Sequence, residues 1–473
     1  MLGTRAGRRS RCAASVAFVI VLGPSLAAGA AGGEPPAACA VVDIHEIGWE
    51  RLEAVKSTTG RGWWVELGGE LLVCGDAAMP SHVAALCPVR LLPDPVEIGR
   101  LWLARGLDEG QLDEMGLEVV AGRGRQALVT LRAGAELVAG ADLLDRSAHQ
   151  SLIAAHPGMV AVRQAGNRPA ASPRRWDPAV QTLVDEIDGD RWFVDIETLA
   201  DFNRYTRGPG ILDARDWLVA AFEDLPGVAV ETPSFMVGGT IAYNVIATLP
   251  GSTRPDDWYI VGGHYDSTSE APMTAAPGAE DNASGCAGVL ELARVLTAHP
   301  PEGTVLFICY AGEEQGLLGS EDHVADLVAS GDASKVQAML DLDMIGYTVD
   351  GDLDCLLESE AFAQFLVDLL ADAAAQYSTL RILTSLFAWG SDHVPYLDQG
   401  IPALLAIEND WDEYPYYHTT NDLPYHLSVT MGEEVLKMSV AALAELAGSR
   451  TTYVFADGFE SGDLSLWSAV QPN

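Results

Sequence analysis

Between residues 179 and 449 the chain alternates short apolar runs with longer segments whose apolar positions recur every three or four residues. That pattern describes buried strands separated by helices with one apolar face. It predicts strands at Tyr243 to Thr248, Trp258 to Gly262, Thr304 to Tyr310, Ala338 to Leu342 and Ala403 to Ile407. Helices are expected at Asp213 to Leu225, Ala283 to Thr297, Glu321 to Ser330, Glu360 to Ala375 and Met431 to Ala447. Such alternation implies an α/β domain with a mostly parallel central sheet flanked by helices. Asp281, Asn282 and Ser284 offer capping side chains at one helix start, and Pro300-Pro301 closes that helix.

Residues 39–163 are less regular. Trp63 to Leu67 and Ala127 to Leu131 read as strands and Ser147 to Ala155 as a helix, giving a small α+β N-terminal domain. Its role as a pro-region, folding aid or binding module is left open by the sequence. Residues 164–178 carry the Pro, Ser, Arg and Asn of an exposed linker, suited to proteolytic processing. Residues 454–473 form a C-terminal tail that resembles a short extension found on some secreted bacterial proteins.

The first 30 residues read as an export signal. Arg5, Arg8, Arg9 and Arg11 precede a largely apolar run from Ala13 to Leu22, and Ala28-Gly29-Ala30 supplies small residues for cleavage. As a helix that run rises about 15 Å, half the hydrocarbon thickness of a bilayer, so cleavage is expected rather than anchoring. A secreted protein follows, extracellular or periplasmic, with no membrane association after cleavage. Loss of Cys12 leaves Cys39, Cys74, Cys87, Cys286, Cys309 and Cys355. The first three leave room for one N-terminal disulfide, whereas Cys286 and Cys309 sit in apolar segments as buried thiols. No CxxC pair occurs, which argues against a cysteine zinc site. A net charge of −39 opposes binding to nucleic acid or anionic membrane.

The chemistry gathers at the C-terminal ends of the expected strands, where an open α/β sheet places its ligands. One strand runs into His264-Tyr265-Asp266, and a later loop carries Glu280-Asp281-Asn282. The next strand runs into Glu313-Glu314, another into Asp341-Leu342-Asp343, and Tyr417-His418-Thr419 follows near the end. Adjacent carboxylates beyond a buried strand repel unless a cation or proton is shared. His264, Asp281, Glu314, Asp343 and His418 form a nitrogen and oxygen donor set without thiolate, suiting zinc. Two ions fit: with Asp281 bridging, one takes His264 and Asp343, the other Glu314 and His418. Glu313 is then left as general base, and Asp266 is placed to orient the His264 ring.

HYDS, EDNASG, AGEEQGLLGS, DLDMIGY, GSDH and YHTTND occur here in the order found in the M28 zinc peptidases, a group that includes secreted bacterial leucyl aminopeptidases. The chain resembles that family from about Asp195 to Ala447. The resemblance implies a zinc-exopeptidase fold, a peptide substrate and two zinc ions on the same five residues, Asp281 bridging and Glu313 as base. An oligomeric state is not implied. A carboxypeptidase of the family and a glutaminyl-cyclase-like acyltransferase with one zinc are the alternatives. Some members carry a tyrosine before the SDH motif to hold the tetrahedral intermediate; Phe387-Ala388-Trp389 stand here instead, leaving the oxyanion donor open. Trp389, Phe387 and Trp411 are candidates for an apolar side-chain pocket or for core packing.

Overall fold

The computed structural model describes residues 37–449 apart from 45–46, 48, 60–62, 108, 124–125, 133–150, 165–175 and 412. The expected signal, most of the expected linker and the C-terminal tail lie outside the described residues.

One twisted sheet of 13 strands runs through both halves of the chain. At its centre Arg254–His264 pairs in parallel with Gly303–Tyr310 on one side and Val336–Leu342 on the other, and Val336–Leu342 pairs in parallel with Ala403–Glu408. Beyond Gly303–Tyr310 lie the antiparallel strands Val245–Leu249 and Ala229–Glu231. Beyond Ala403–Glu408 come Asp354–Glu358, antiparallel to it, and Arg381–Ser385. These last two strands were not anticipated. Their short sequences DCLLE and RILTS mix charge with apolar residues, and only pairing inside the sheet favours them over loop.

All five strands and all five helices anticipated between residues 179 and 449 are present, shifted by a few residues at their ends. Gly303–Tyr310 is buried at every position, as a central strand covered on both faces must be. Helix Gly285–Ala298 packs on the three central strands, and Val429–Ala447 packs beside it. Close approach here depends on glycine. A Cβ at Gly285 would lie 2.0 Å from the Leu342 carbonyl oxygen, and one at Gly432 would lie 2.1 Å from the Trp192 ring. Trp192 fills that space and donates its indole N–H to the Ser284 carbonyl. Of the three anticipated caps, Asn282 accepts from the Gly285 amide, whereas Asp281 turns away from the helix toward the strand ends.

The N-terminal region joins the same sheet. Met159–Gln164 pairs with Arg381–Ser385, followed outward by Trp64–Leu67, Glu70–Gly75, Ala38–Asp43 and Arg90–Leu91. A separate four-stranded sheet, Leu117–Arg123, Gln126–Leu131, Leu101–Arg105 and Ser151–Ala154, packs against these strands through Leu72, Val65, Leu103 and Leu128. The helix expected at Ser147 to Ala155 is corrected in its described part: Ser151–Ala154 is a strand pairing with Leu101–Arg105, and residues 147–150 lie outside the described residues. Tertiary pairing overrode a weak local helix preference. Cys39 and Cys74, opposite one another on paired strands, form a disulfide, and Cys87, Cys286, Cys309 and Cys355 are buried thiols. Among the described residues no helix is long and apolar enough to cross a membrane.

Candidate metal centre and active site

Parallel pairing aligns the three central strands, so that His264 lies level with Tyr310, three residues before Glu313, while Asp343 directly follows Leu342. Asp281 reaches the same edge from the loop before helix Gly285–Ala298, and His418 from a turn after the strand Ala403–Glu408. Sequence separations above a hundred residues thereby become a few ångströms.

His264 Nε2 lies 3.2 Å from Asp281 Oδ1, 3.4 Å from Asp343 Oδ1 and 3.8 Å from Glu313 Oε2. His418 Nε2 lies 3.0 Å from Asp281 Oδ2 and 3.0 Å from Glu314 Oε2. Asp281 therefore turns one oxygen to each histidine. The group divides into a half with His264 and Asp343 and a half with Glu314 and His418, with Asp281 in common and Glu313 beside the first. Donor atoms of His264, Glu313 and Asp343, and likewise of His264, Asp281 and Glu314, converge within 4.8 Å.

Neighbouring groups hold these side chains in place. Asp422 accepts from the Glu280 and Asp281 amides at 2.9 and 3.0 Å and from the Tyr414 hydroxyl at 2.7 Å. The Asn282 side chain donates to the Leu342 carbonyl and accepts from the Met344 amide, tying the Asp281 loop to the Asp343 strand. Glu280 accepts from the Gly346 and Tyr347 amides, and Ser391 donates to Asp343 Oδ2 at 2.7 Å. Asp266 acts somewhat differently from expectation. His264 Nδ1 meets the main-chain oxygen of Asp266 at 3.1 Å, while the nearer carboxylate oxygen stands at 3.7 Å. That carboxylate accepts instead from Thr206 and from the Glu313 amide, so it steadies the backbone of the glutamate pair.

The donor set fits a divalent cation. His264 Nε2, both oxygens of Glu314 and Asp343 Oδ1 are buried with no hydrogen bond, although buried polar atoms ordinarily have one. Burial pushes the Glu313 carboxyl up, and lifts Glu314 to about 7 against the pull of His418. Burial disfavours a charged His418, yet Glu314 and Asp281 raise its imidazole to about 10. Asp281 is the contrary case: burial opposes its charge, but the His264 and His418 imidazoles beside it hold it below the ordinary carboxylate range. Carboxyl groups in excess over imidazoles, enclosed and sharing protons, make a site that concentrated positive charge stabilises.

A profile of peptidase family M28 matches residues 244–443. A probable leucine aminopeptidase of Arthroderma otae is 30% identical over 296 residues, covering 59% of this chain and 78% of that protein. A probable zinc metalloprotease of Pyrenophora teres is 36% identical over 194 residues, covering 36% and 41%. The chain belongs to peptidase family M28. In fold it is similar to the LapA aminopeptidase of Legionella pneumophila, with a TM-score of 0.51 at 18% identity over 74% of this chain and 98% of that one.

Beside the centre, this M28 peptidase has a pocket. Asp281 and Asp343 of the metal-binding group line it, and Met344, Leu356, Leu405, Ile407, Trp389 and Trp411 form its apolar wall. Two of the three anticipated aromatic residues thus line it. Phe387 does not: it forms a backbone bridge with Glu360 and packs on the N-terminal core instead. Glu280, Asn282, Asp422 and Ser391 lay within the quoted motifs, but their supporting roles depend on contacts that spacing does not reveal. Glu358 and Gln126, also on the pocket wall, carried no sequence signal at all.

Proposed function

We propose that this M28 peptidase is a secreted aminopeptidase that holds two zinc ions, removing N-terminal residues from peptides. The observation that carries this reading is Asp281, whose two oxygens face two different histidines next to an apolar pocket. One ion would rest on His264, Asp281 and Asp343, the other on Asp281, Glu314 and His418. Bound there, zinc supplies a Lewis acid for the scissile carbonyl and an acidified water.

The chain's own groups do the rest. Glu313, its amide held by Asp266, takes a proton from the attacking water and passes it to the leaving amine. Burial favours its protonated form, so the proton is easily retained between the two transfers. The side chain of the N-terminal residue enters the apolar pocket, and the acidic groups around the centre attract the substrate's ammonium. Leucine and similar residues suit a wall of Met344, Leu356, Leu405 and Ile407. The names of the relatives support both zinc and aminopeptidase activity. Export accords with the leader-like first 30 residues and with a disulfide, which persists in oxidising compartments.

Metal content of the purified protein, measured with amino-acid release from free and N-acetylated peptides, tests the reading. Two zinc ions per chain and chelator-sensitive cleavage of the free peptides alone are expected. One zinc and no hydrolysis would overturn it in favour of a cyclase-like acyl transfer, and release from the carboxyl end would favour a carboxypeptidase.

A further inference from the structure

The pocket has one wall that the peptidase region does not supply. Gln126, from the N-terminal region, lines it directly. Glu358, at the end of the strand Asp354–Glu358, contributes a carboxylate beside the apolar residues of the pocket wall and is 1% exposed. Its Oε1 accepts from the Trp389 amide at 2.7 Å. Its Oε2 makes no hydrogen bond and faces Arg105 Nη1 at 3.6 Å.

Arg105 ends the strand Leu101–Arg105 of the N-terminal region, and it is fully buried. It crosses to the peptidase region, donating to the Phe387 carbonyl and, at 3.3 Å, to Ser385 Oγ. Its guanidinium also stands 5.7 Å from the centre of the Trp389 ring, one of the pocket's aromatic walls. His393 Nε2, at 3.9 Å, is the other basic group near Glu358; its Nδ1 stands 3.5 Å from Asp341 Oδ2 on the opposite side, and neither ring nitrogen makes a hydrogen bond. Arg105 is therefore the cation that balances the pocket's carboxylate, and it comes from the other half of the chain. Burial weakens the charged form of both partners, and each favours the charge of the other.

We propose that Arg105 and Glu358 form a charge pair that sets the side-chain specificity of the pocket. Paired, they leave it selective for uncharged N-terminal residues; without Arg105, the bared carboxylate selects lysyl and arginyl residues. The pair makes the N-terminal region part of the specificity device instead of a mere cover. This inference rests on the aminopeptidase reading, and it deepens it by assigning the substrate class and the residues that choose it. A buried carboxylate at a pocket wall discriminates between charged and neutral side chains because desolvation makes an unpaired charge unfavourable and a matched one favourable.

The test uses the full chain and the ratio of kcat/KM for lysyl over leucyl p-nitroanilide. Arg105→Met is expected to raise that ratio by at least about tenfold, and adding Glu358→Gln is expected to return it to the starting value. An unchanged ratio in a folded Arg105→Met protein, judged by near-ultraviolet circular dichroism, overturns the proposal. Should Arg105→Met not fold, Glu358→Gln alone decides. It leaves the guanidinium without its anion, so the lysyl to leucyl ratio should fall and glutamyl substrate should gain; unchanged ratios overturn the proposal. A wild-type chain that releases no leucine would instead defeat the aminopeptidase reading itself, so the two failures are distinguishable.

Discussion

The peptidase region and the N-terminal region share one sheet but use it differently. From Val180 to Ala447 the peptidase strands and helices enclose one large apolar core and a smaller cluster around Met344, Leu356, Leu405 and Ile407, and the strand ends gather acid and imidazole groups at one edge. The N-terminal strands enclose three smaller cores, tied by the Cys39–Cys74 disulfide and by the buried Lys56–Glu66–Arg163 charge group. No comparable cluster of metal-binding groups occurs among its described residues. Division of labour follows from size: a large core tolerates the desolvation of many charges at its rim, whereas small cores need a covalent link and paired charges to hold together. Among the described residues, the smaller region reaches the pocket through Gln126, which lines it, and through Arg105, which faces Glu358.

Three experiments probe that contrast beyond the tests already given. The largest effect is expected from Glu313→Gln, which keeps the shape of the centre while removing the proposed base. Turnover should fall by about 10²- to 10⁴-fold with zinc content unchanged. Full activity would show that the peptidase region's chemistry is arranged otherwise. Next, replacing Cys39 and Cys74 by serine acts on the smaller region alone. Releasing a crosslink across a sequence separation of 35 should lower its unfolding free energy by about 2 to 4 kcal/mol, read by denaturant titration. Zinc bound per chain should not change; its loss would mean that the two regions stand or fall as one unit.

The smallest effect is a pH dependence inside the large core. His323 is buried beside Tyr396, and burial lowers its imidazole to about 4. Its folded value is below the unfolded one, so the neutral form contributes full stability above pH 6.5. That contribution is lost as pH falls from 6.5 toward 4, because the unfolded chain takes up the proton first. Comparison with His323→Leu should show the wild type losing about 2 kcal/mol more between pH 7.5 and pH 5. Parallel pH profiles would place a charged His323 within the native structure.

Legibility in the sequence followed the same division. Gly303–Tyr310, uniformly apolar and flanked by turn residues, is recognisable locally because a central strand is buried on both faces. Asp354–Glu358 and Arg381–Ser385 are not, since half their residues gain a preference for strand only from their neighbours. His264, Asp281, Glu313, Glu314, Asp343 and His418 could be named because each follows a strand or opens a helix in a short, chemically unusual run. Asp422 could not be assigned its work on the Asp281 loop, because that work consists of accepting two amides more than a hundred residues away.

By itself the sequence determined the α/β alternation, the donor types and their order along the chain. Periodicity and side-chain chemistry are local properties, and they survive without knowledge of neighbours. Only the tertiary structure decided that Asp281 divides its oxygens between two histidines and that Phe387 leaves the pocket while Trp389 stays. It alone brought Arg105 against Glu358 across a sequence separation of 253 residues. Those outcomes depend on which strands pair and which faces meet, and a buried charge acquires its meaning from the partner that folding places beside it.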